Sequence, residues 1–300
     1  MLACDGDGIP RVGSTTCLLA NTSYGGIQVR LMTITQRTFV LTLAVIALLG
    51  FSANNASAQN EGNVSVGTGI DFVNDYYFRG IVQETKGSIS QPYIEAGLAI
   101  NDTVSLTAGT WQSLHSTQDK TSTVPSWYES DFYAGIGFGA EAVGIDITYT
   151  KYMSPRGSWG SVKELAFGVS YDTLVAPYAT VAVEFDSGGG ADGGSNDGTY
   201  FELGIEPGTS LGSSDAGISF PVAIGMSGSN YYEATNGGSF GFFSVGASIG
   251  VPLSAIPSEY GAWDFGIGLS AMVVGEALQS INGSTSSLMP LFSFGFSVGY

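Results

Sequence analysis

Leu291-Phe-Ser-Phe-Gly-Phe-Ser-Val-Gly-Tyr300 decides how the rest of the chain is read. Phe292, Phe294, Phe296, Val298 and Tyr300 are large and apolar or aromatic, and Ser293, Gly295, Ser297 and Gly299 between them are small. Strict alternation of this kind puts a greasy face and a nearly bare face on opposite sides of one strand. A soluble sheet gains little from such a strand. The closing strand of a transmembrane barrel requires one greasy face, and Phe292–Tyr300 is the segment by which barrel-assembly machinery would grip it.

The pattern repeats upstream. Candidate strands cover about 64–76, 89–100, 104–113, 127–140, 143–153, 162–171, 176–186, 199–206, 216–228, 239–251, 262–274 and 288–300. In one of them Phe132, Ala134, Ile136 and Phe138 oppose Tyr133, Gly135, Gly137 and Gly139. Each stretch is long enough to cross the apolar layer with tilt. A soluble β-sandwich also alternates, but its outward face carries Lys, Glu, Thr and Arg, whereas here the second face is Gly, Ser and Ala. The expectation is an all-β fold: an antiparallel up-and-down transmembrane barrel of about twelve strands in one domain, 59–300. The connections 101–103, 141–142 and 172–175 are short, and 207–215 and 252–261 remain compact. Those at 77–88, 114–126, 154–161, 187–198, 229–238 and 275–287 are mostly longer and polar, as outer loops are. Aromatics near strand ends would form interfacial girdles. Tyr76, Tyr77, Phe78, Trp127, Tyr128, Tyr152, Tyr231 and Tyr232 would lie at the outer rim, and Tyr171, Tyr178, Tyr260, Trp263 and Tyr300 at the inner one.

Composition agrees. Charged residues are 12% of the chain and Gly is 44 of 300, far from the soluble average. The N-terminus is read separately. Arg37 precedes the apolar run Phe39–Gly50, and Ala56-Ser57-Ala58 is a small-x-small cleavage site before Gln59. That is the layout of a secretory signal peptide over 32–58, with cleavage near Ala58/Gln59 and delivery to the outer membrane. Its apolar core is too short to span a bilayer as a helix. Met32 is read as the start and 1–31 as an upstream extension; a longer leader is the alternative. Cys4 and Cys17 both precede the cleavage site, so the mature chain has no thiol chemistry. It would hold 6 basic and 24 acidic residues, a formal charge of 6 − 24 = −18, which repels nucleic acid.

Asp71-Phe-Val-Asn74-Asp75-Tyr76-Tyr77-Phe78-Arg79-Gly80-Ile81, followed by Gln83, resembles the S-D-Y-x-F-R-G-x-x-Q signature of exported proteins labelled TorF-type porins. Asp75, Phe78, Arg79, Gly80 and Gln83 match, and Asn74 replaces the family's Ser. The resemblance implies location and fold more than activity. From the residues alone this stretch reads as a latch at the rim, with gating or solute contact as the alternative. Asp75 and Arg79 could pair only if the strand bends or ends between them, and Gly80 can supply such a turn.

Asp71, Glu95, Asp131, Asp146, Glu164, Glu184, Glu202 and Asp264 all take the parity of the small residues, with no basic residue clearly placed among them. They are expected to line the pore, since carboxylates facing lipid are costly. Rings of Asp and Glu favour cations, so the predicted function is passive diffusion of small cationic or neutral solutes. The small residues, Ser293 to Gly299 included, would keep the interior wide. A closed structural or lipid-anchoring barrel is the alternative, and a barrel lipid hydrolase a remoter one. Arg79, Lys86, Lys120, Lys151, Arg156 and Lys163 fall in or beside the first three outer loops and could meet lipopolysaccharide phosphates. Ser113 and His115 form a conceivable Ser–His pair, but no orienting partner is evident, so His115 is read as a loop histidine and the chain as no enzyme. No cofactor or metal is predicted. Gly-x-Gly pairs lie on strands and lead into no helix, and the Gly188–Gly198 loop only faintly resembles a calcium loop.

Overall fold

The computed structural model describes residues 62–116, 127–186, 189–212, 215–233 and 238–300. The leader 1–58 and Lys120 lie outside them. Sixteen strands are present among the described residues: β1 (Val64–Val73), β2 (Tyr76–Phe78), β3 (Ile81–Glu84), β4 (Ile89–Ala99), β5 (Val104–His115), β6 (Trp127–Ala140), β7 (Val143–Met153), β8 (Val162–Tyr171), β9 (Pro177–Glu184), β10 (Thr199–Ile205), β11 (Gly208–Ser210), β12 (Gly217–Ser219), β13 (Val222–Ser229), β14 (Phe240–Pro252), β15 (Ala262–Val274) and β16 (Leu288–Gly299). A short helix, α1 (Glu276–Ile281), follows β15.

Neighbouring strands pair antiparallel around a ring that closes through β14–β15, β15–β16 and β16–β1. Twelve strand positions result, because two of them are interrupted. β10 and β11 flank Pro207, and β12 and β13 flank Phe220-Pro221. Register runs straight across both breaks: Ile205 faces Val222 and Gly208 faces Ser219. Proline cannot donate to the ladder, so each strand is interrupted at its proline without losing its place. The strand expected over 216–228 is therefore one position in two pieces.

Closure satisfies the backbone of the wall strands from their neighbours, which hydrocarbon demands. The last strand completes it. Tyr300 N–H donates to Val66 O, and Val66 N–H returns the bond to Tyr300 O. On the outside of this seam Phe72 stacks on Phe294 at 5.0 Å, and Phe265 lies 5.1 Å from Phe296. The outer surface is apolar on strand after strand: Phe132 is 51% exposed and Leu269 64%, with Ile145, Phe167, Leu203 and Val245 also exposed. A contiguous belt of this kind is a lipid-facing surface. Among the described residues no helix is long and apolar enough to cross a membrane.

The largest departure from expectation is in the segment after β1. Residues 77–88 do not form an outward loop. β2 and β3 make a separate two-stranded hairpin that folds back into the barrel mouth. Phe78 pairs with Ile81, leaving a two-residue turn of Arg79 and Gly80, both with positive φ, 49° and 82°. That combination belongs to the hairpin turn whose twist matches its strands. Tyr76, Tyr77, Phe78, Arg79 and Ile81 are all buried. Tyr152, Tyr231 and Tyr232 are buried around them, so these aromatics fill the mouth and do not form a lipid girdle. Trp127, Tyr171, Tyr260 and Tyr300 remain exposed near strand ends, as girdle residues are.

Candidate functional site

The hairpin tip carries a charge into the barrel. Arg79 is 1% exposed. Its Nη1 donates to Glu164 Oε2 at 2.5 Å and to the Tyr231 hydroxyl at 2.7 Å, and Nη2 donates to Glu164 Oε1 at 2.9 Å. The two-point grip matches a planar guanidinium to a carboxylate. The same guanidinium lies 4.3 Å from the Tyr200 ring centre, 5.0 Å from Phe78 and 5.3 Å from Tyr231. The Tyr152 hydroxyl donates to Glu164 Oε1 at 3.1 Å. Arg79 therefore reaches across the lumen to β8. It does not pair with Asp75, whose carboxylate accepts from Asn74 Nδ2 at 2.5 Å at the rim. Partial burial, followed by the charge of Glu84, raises the Asp75 pKa above its usual value, against the Tyr77 hydroxyl. The expectation that no cation stands among the lumen acids is likewise corrected. The sequence places Arg79 in a loop, and the loop turns inward.

The rest of the motif anchors the hairpin. Gly80 has no room for a side chain: a Cβ would stand 2.5 Å from Leu278 Cδ1 of α1. Asn282, just after α1, donates from Nδ2 to Gly80 O and accepts from Val82 N–H on Oδ1, both at 2.9 Å. The side-chain amide thus acts as a stand-in for a neighbouring strand. The Tyr232 hydroxyl donates to Arg79 O at 2.9 Å, and the Tyr128 hydroxyl to Gln83 Oε1 at 2.6 Å. Three connections on the long-loop side, around 76–84, 230–233 and 275–282, therefore meet in one plug.

All eight singled-out carboxylates face inward. Asp71, Asp131, Asp146, Glu164, Glu184, Glu202 and Asp264 are buried, and Glu95 is partly so. They divide into groups by their neighbours. Asp131 and Glu164 stand around the plug with Glu129, which sequence reasoning missed and which accepts from the Tyr76 hydroxyl at 2.8 Å. Its signal was available: Glu129 shares the parity of Asp131. Glu184, at the same end, accepts from Ala191 and Gly198 N–H at 2.9 and 2.7 Å. Asp71, Glu95 and Asp264 gather about Tyr93. Glu202 accepts from the Tyr178 and Tyr200 hydroxyls at 2.9 and 2.5 Å. Among the described residues, Asp131 and Asp146 have no hydrogen-bond partner on either carboxylate oxygen, and neither do the amide of Gln91 and the hydroxyl of Thr148.

Not all of the small inward residues leave open space: Gly67 does, but others are covered. A Cβ on Gly109 would meet Tyr133, one on Gly204 would meet Tyr178, and one on Gly295 of the closing strand would meet the Asp71 carboxylate. Each partner sits directly across the ladder, at Gly109↔Tyr133, Gly204↔Tyr178 and Gly295↔Asp71. These three glycines are sites over which a neighbour's ring or carboxylate lies.

The basic set divides too. Arg79 is sealed inside and cannot meet lipid head groups. Lys151 and Lys163 are cross-strand partners on the outward parity, with Lys163 Nζ 2.5 Å from Asp186 Oδ2. Lys86 and Arg156 are exposed. His115 is the end of β5, buried beside Ser113, and not a loop residue: the inward parity of Trp111 and Ser113 simply continues. Ser113 Oγ and His115 Nε2 are 2.8 Å apart, the ring stacks 4.5 Å from Tyr128, and Nδ1 has no partner among the described residues. None of them therefore orients the imidazole through Nδ1 as a base would need. In the 189–198 segment Asp192 is used by Gly194 and Glu233 N–H, and among the described residues no three potential ligands gather for a metal.

The barrel is similar to several solved structures, at low identity. An outer membrane channel from Pseudomonas putida shares 8% identity over 81% of this chain and 97% of that one, with a TM-score of 0.47. The translocator domain of the autotransporter NalP from Neisseria meningitidis shares 12% over 91% and 98%, at 0.41. The CymD monoaromatic hydrocarbon channel shares 10% over 88% and 93%, at 0.43. No curated protein sequence matches. Residues 57–272 match the family described as "Bacterial protein of unknown function (Gcw_chp)", and the chain belongs to that family.

Proposed function

We propose that this protein is an outer-membrane channel through which small cationic or neutral solutes pass by passive diffusion, held at low conductance by its own inward hairpin. One observation carries the reading: the acidic residues of eight wall positions all point inward, and among the described residues only Arg79 offsets them. A negative lumen raises the local concentration of cations and depletes anions. The apolar exterior and the closing strand support placement in the outer membrane, after export by the leader. The outward pair Lys151 and Lys163, with Lys86, Lys120 and Arg156, is where anionic head groups would be met. Phe292–Tyr300 remains the segment offered to the assembly machinery.

Purified protein in a planar bilayer under a KCl gradient tests this. Small conductance steps with a cation-favouring reversal potential are expected. An anion-favouring potential would overturn the selectivity. A second reading, a closed structural barrel, is favoured by the buried plug, and absence of any conductance in the wild type and in a hairpin-deleted variant would establish it instead.

A further inference from the structure

Arg79 occupies its surroundings as a ligand occupies a site. It arrives on a turn, not from the wall. Every group holding its head belongs to another element or to the turn's own Phe78: Glu164 from β8, Tyr200 from β10 and Tyr231 from the 230–233 segment, with Tyr152 from β7 bracing Glu164. Nε, the donor closest to the backbone, is buried without a partner among the described residues, so the cage holds the two terminal nitrogens and the ring faces hold the plane. That is recognition of a guanidinium end with no requirement for the stem behind it. The backbone is held in the left-handed region at Arg79, with φ 49°, which L-residues other than glycine adopt rarely.

We infer that the cage of Glu164, Tyr200 and Tyr231, with Tyr152 bracing Glu164, is a binding site for guanidinium-type cations on the solute path, and that Arg79 is its tethered occupant. A solute bearing a guanidinium competes with Arg79 for Glu164, and when it wins, the hairpin loses its deepest contact. The tether gives Arg79 a local concentration in the millimolar range or above, so weak free ligands bind the wild type poorly. The inference borrows the channel reading for its place in transport; the cage is defined by its contacts alone.

Methylguanidinium titrated calorimetrically into folded protein in detergent micelles, at constant ionic strength, is the test. Arg79→Ala removes the occupant and leaves the cage. Saturable millimolar binding is expected there, about tenfold weaker or more in the wild type, and lost in Arg79→Ala/Glu164→Gln. Tetramethylammonium, which has no N–H to donate, should bind Arg79→Ala much less well. If wild type and Arg79→Ala bind alike, or if Glu164→Gln changes nothing, the cage is not a cation site. Should Arg79→Ala fail to fold alone, refolding is repeated with methylguanidinium present. Recovery of folded barrel supports the site, and no recovery overturns it. Binding without conductance would leave the cage inside a closed barrel, whereas conductance without binding would keep the channel and remove the cage.

Discussion

Arg79 and Glu164 are each 1% exposed, so neither charge can fall back on water if the other is removed. Breaking a buried pair by neutralising one partner typically costs about 3–5 kcal/mol, because the survivor stays buried and uncompensated. Glu164→Gln keeps the shape and one acceptor but loses the charge. It should lower the barrel's stability to urea in micelles by about 2–4 kcal/mol, and Arg79→Met should cost less, because the remaining Glu164 still accepts from Tyr152. A larger loss for Arg79→Met would mean that the guanidinium, and not the pair, organises the site. Gly80 is restricted twice: its φ is 82°, and Leu278 Cδ1 lies 2.5 Å from where a Cβ would stand. Gly80→Ala should therefore cost about 2–3 kcal/mol, combining backbone strain and overpacking. Adding Leu278→Ala should recover the packing part and leave the backbone part, and full recovery would show that the positive φ is unimportant.

At the scale of elements, the wall was readable and the plug was not. Period-2 alternation is a local property, so the twelve wall positions follow from it almost residue by residue. Breaks at Pro207 and Pro221 follow from the missing N–H. The inward carboxylates follow from parity, since the same alternation that turns Phe132 out turns Asp131 in. What alternation cannot encode is the direction in which a connection folds. Tyr76-Tyr77-Phe78 looks like a rim girdle and Arg79 like a loop charge, and only their distant partners, Glu164, Tyr231 and Asn282, turn them inward. A signal was nonetheless present: three consecutive aromatics, a cation and a glycine are an odd composition for a solvated loop. Asn282 joins the plug to α1 through the Gly80 carbonyl and the Val82 amide. Asn282→Ala leaves both groups unpaired, at about 1–3 kcal/mol. Because the wall does not use these bonds, the expected result is a plug that opens more often. Single-channel records should show more frequent large openings with unchanged global stability of the barrel. Unchanged gating would mean that α1 and not Asn282 holds the hairpin.

For the molecule as a whole, the charges are arranged in two tiers with different work. Near the plug, Glu164 is neutralised by Arg79. In the second, Asp71, Glu95 and Asp264 gather about Tyr93 with no cation of the described residues among them. Selectivity should then reside in the second tier and gating in the first. Asp71→Asn, Glu95→Gln and Asp264→Asn combined should move the reversal potential in a salt gradient toward zero, by removing the field that depletes anions. Glu164→Gln should alter opening frequency and leave the reversal potential close to wild type. The two sets of substitutions therefore separate in one experiment on one membrane. If the triple variant keeps its cation preference while Glu164→Gln loses it, the order of the tiers is reversed. The site that admits cations would then be the one that Arg79 guards, and the acids about Tyr93 would be wall residues held inward only because lipid excludes them.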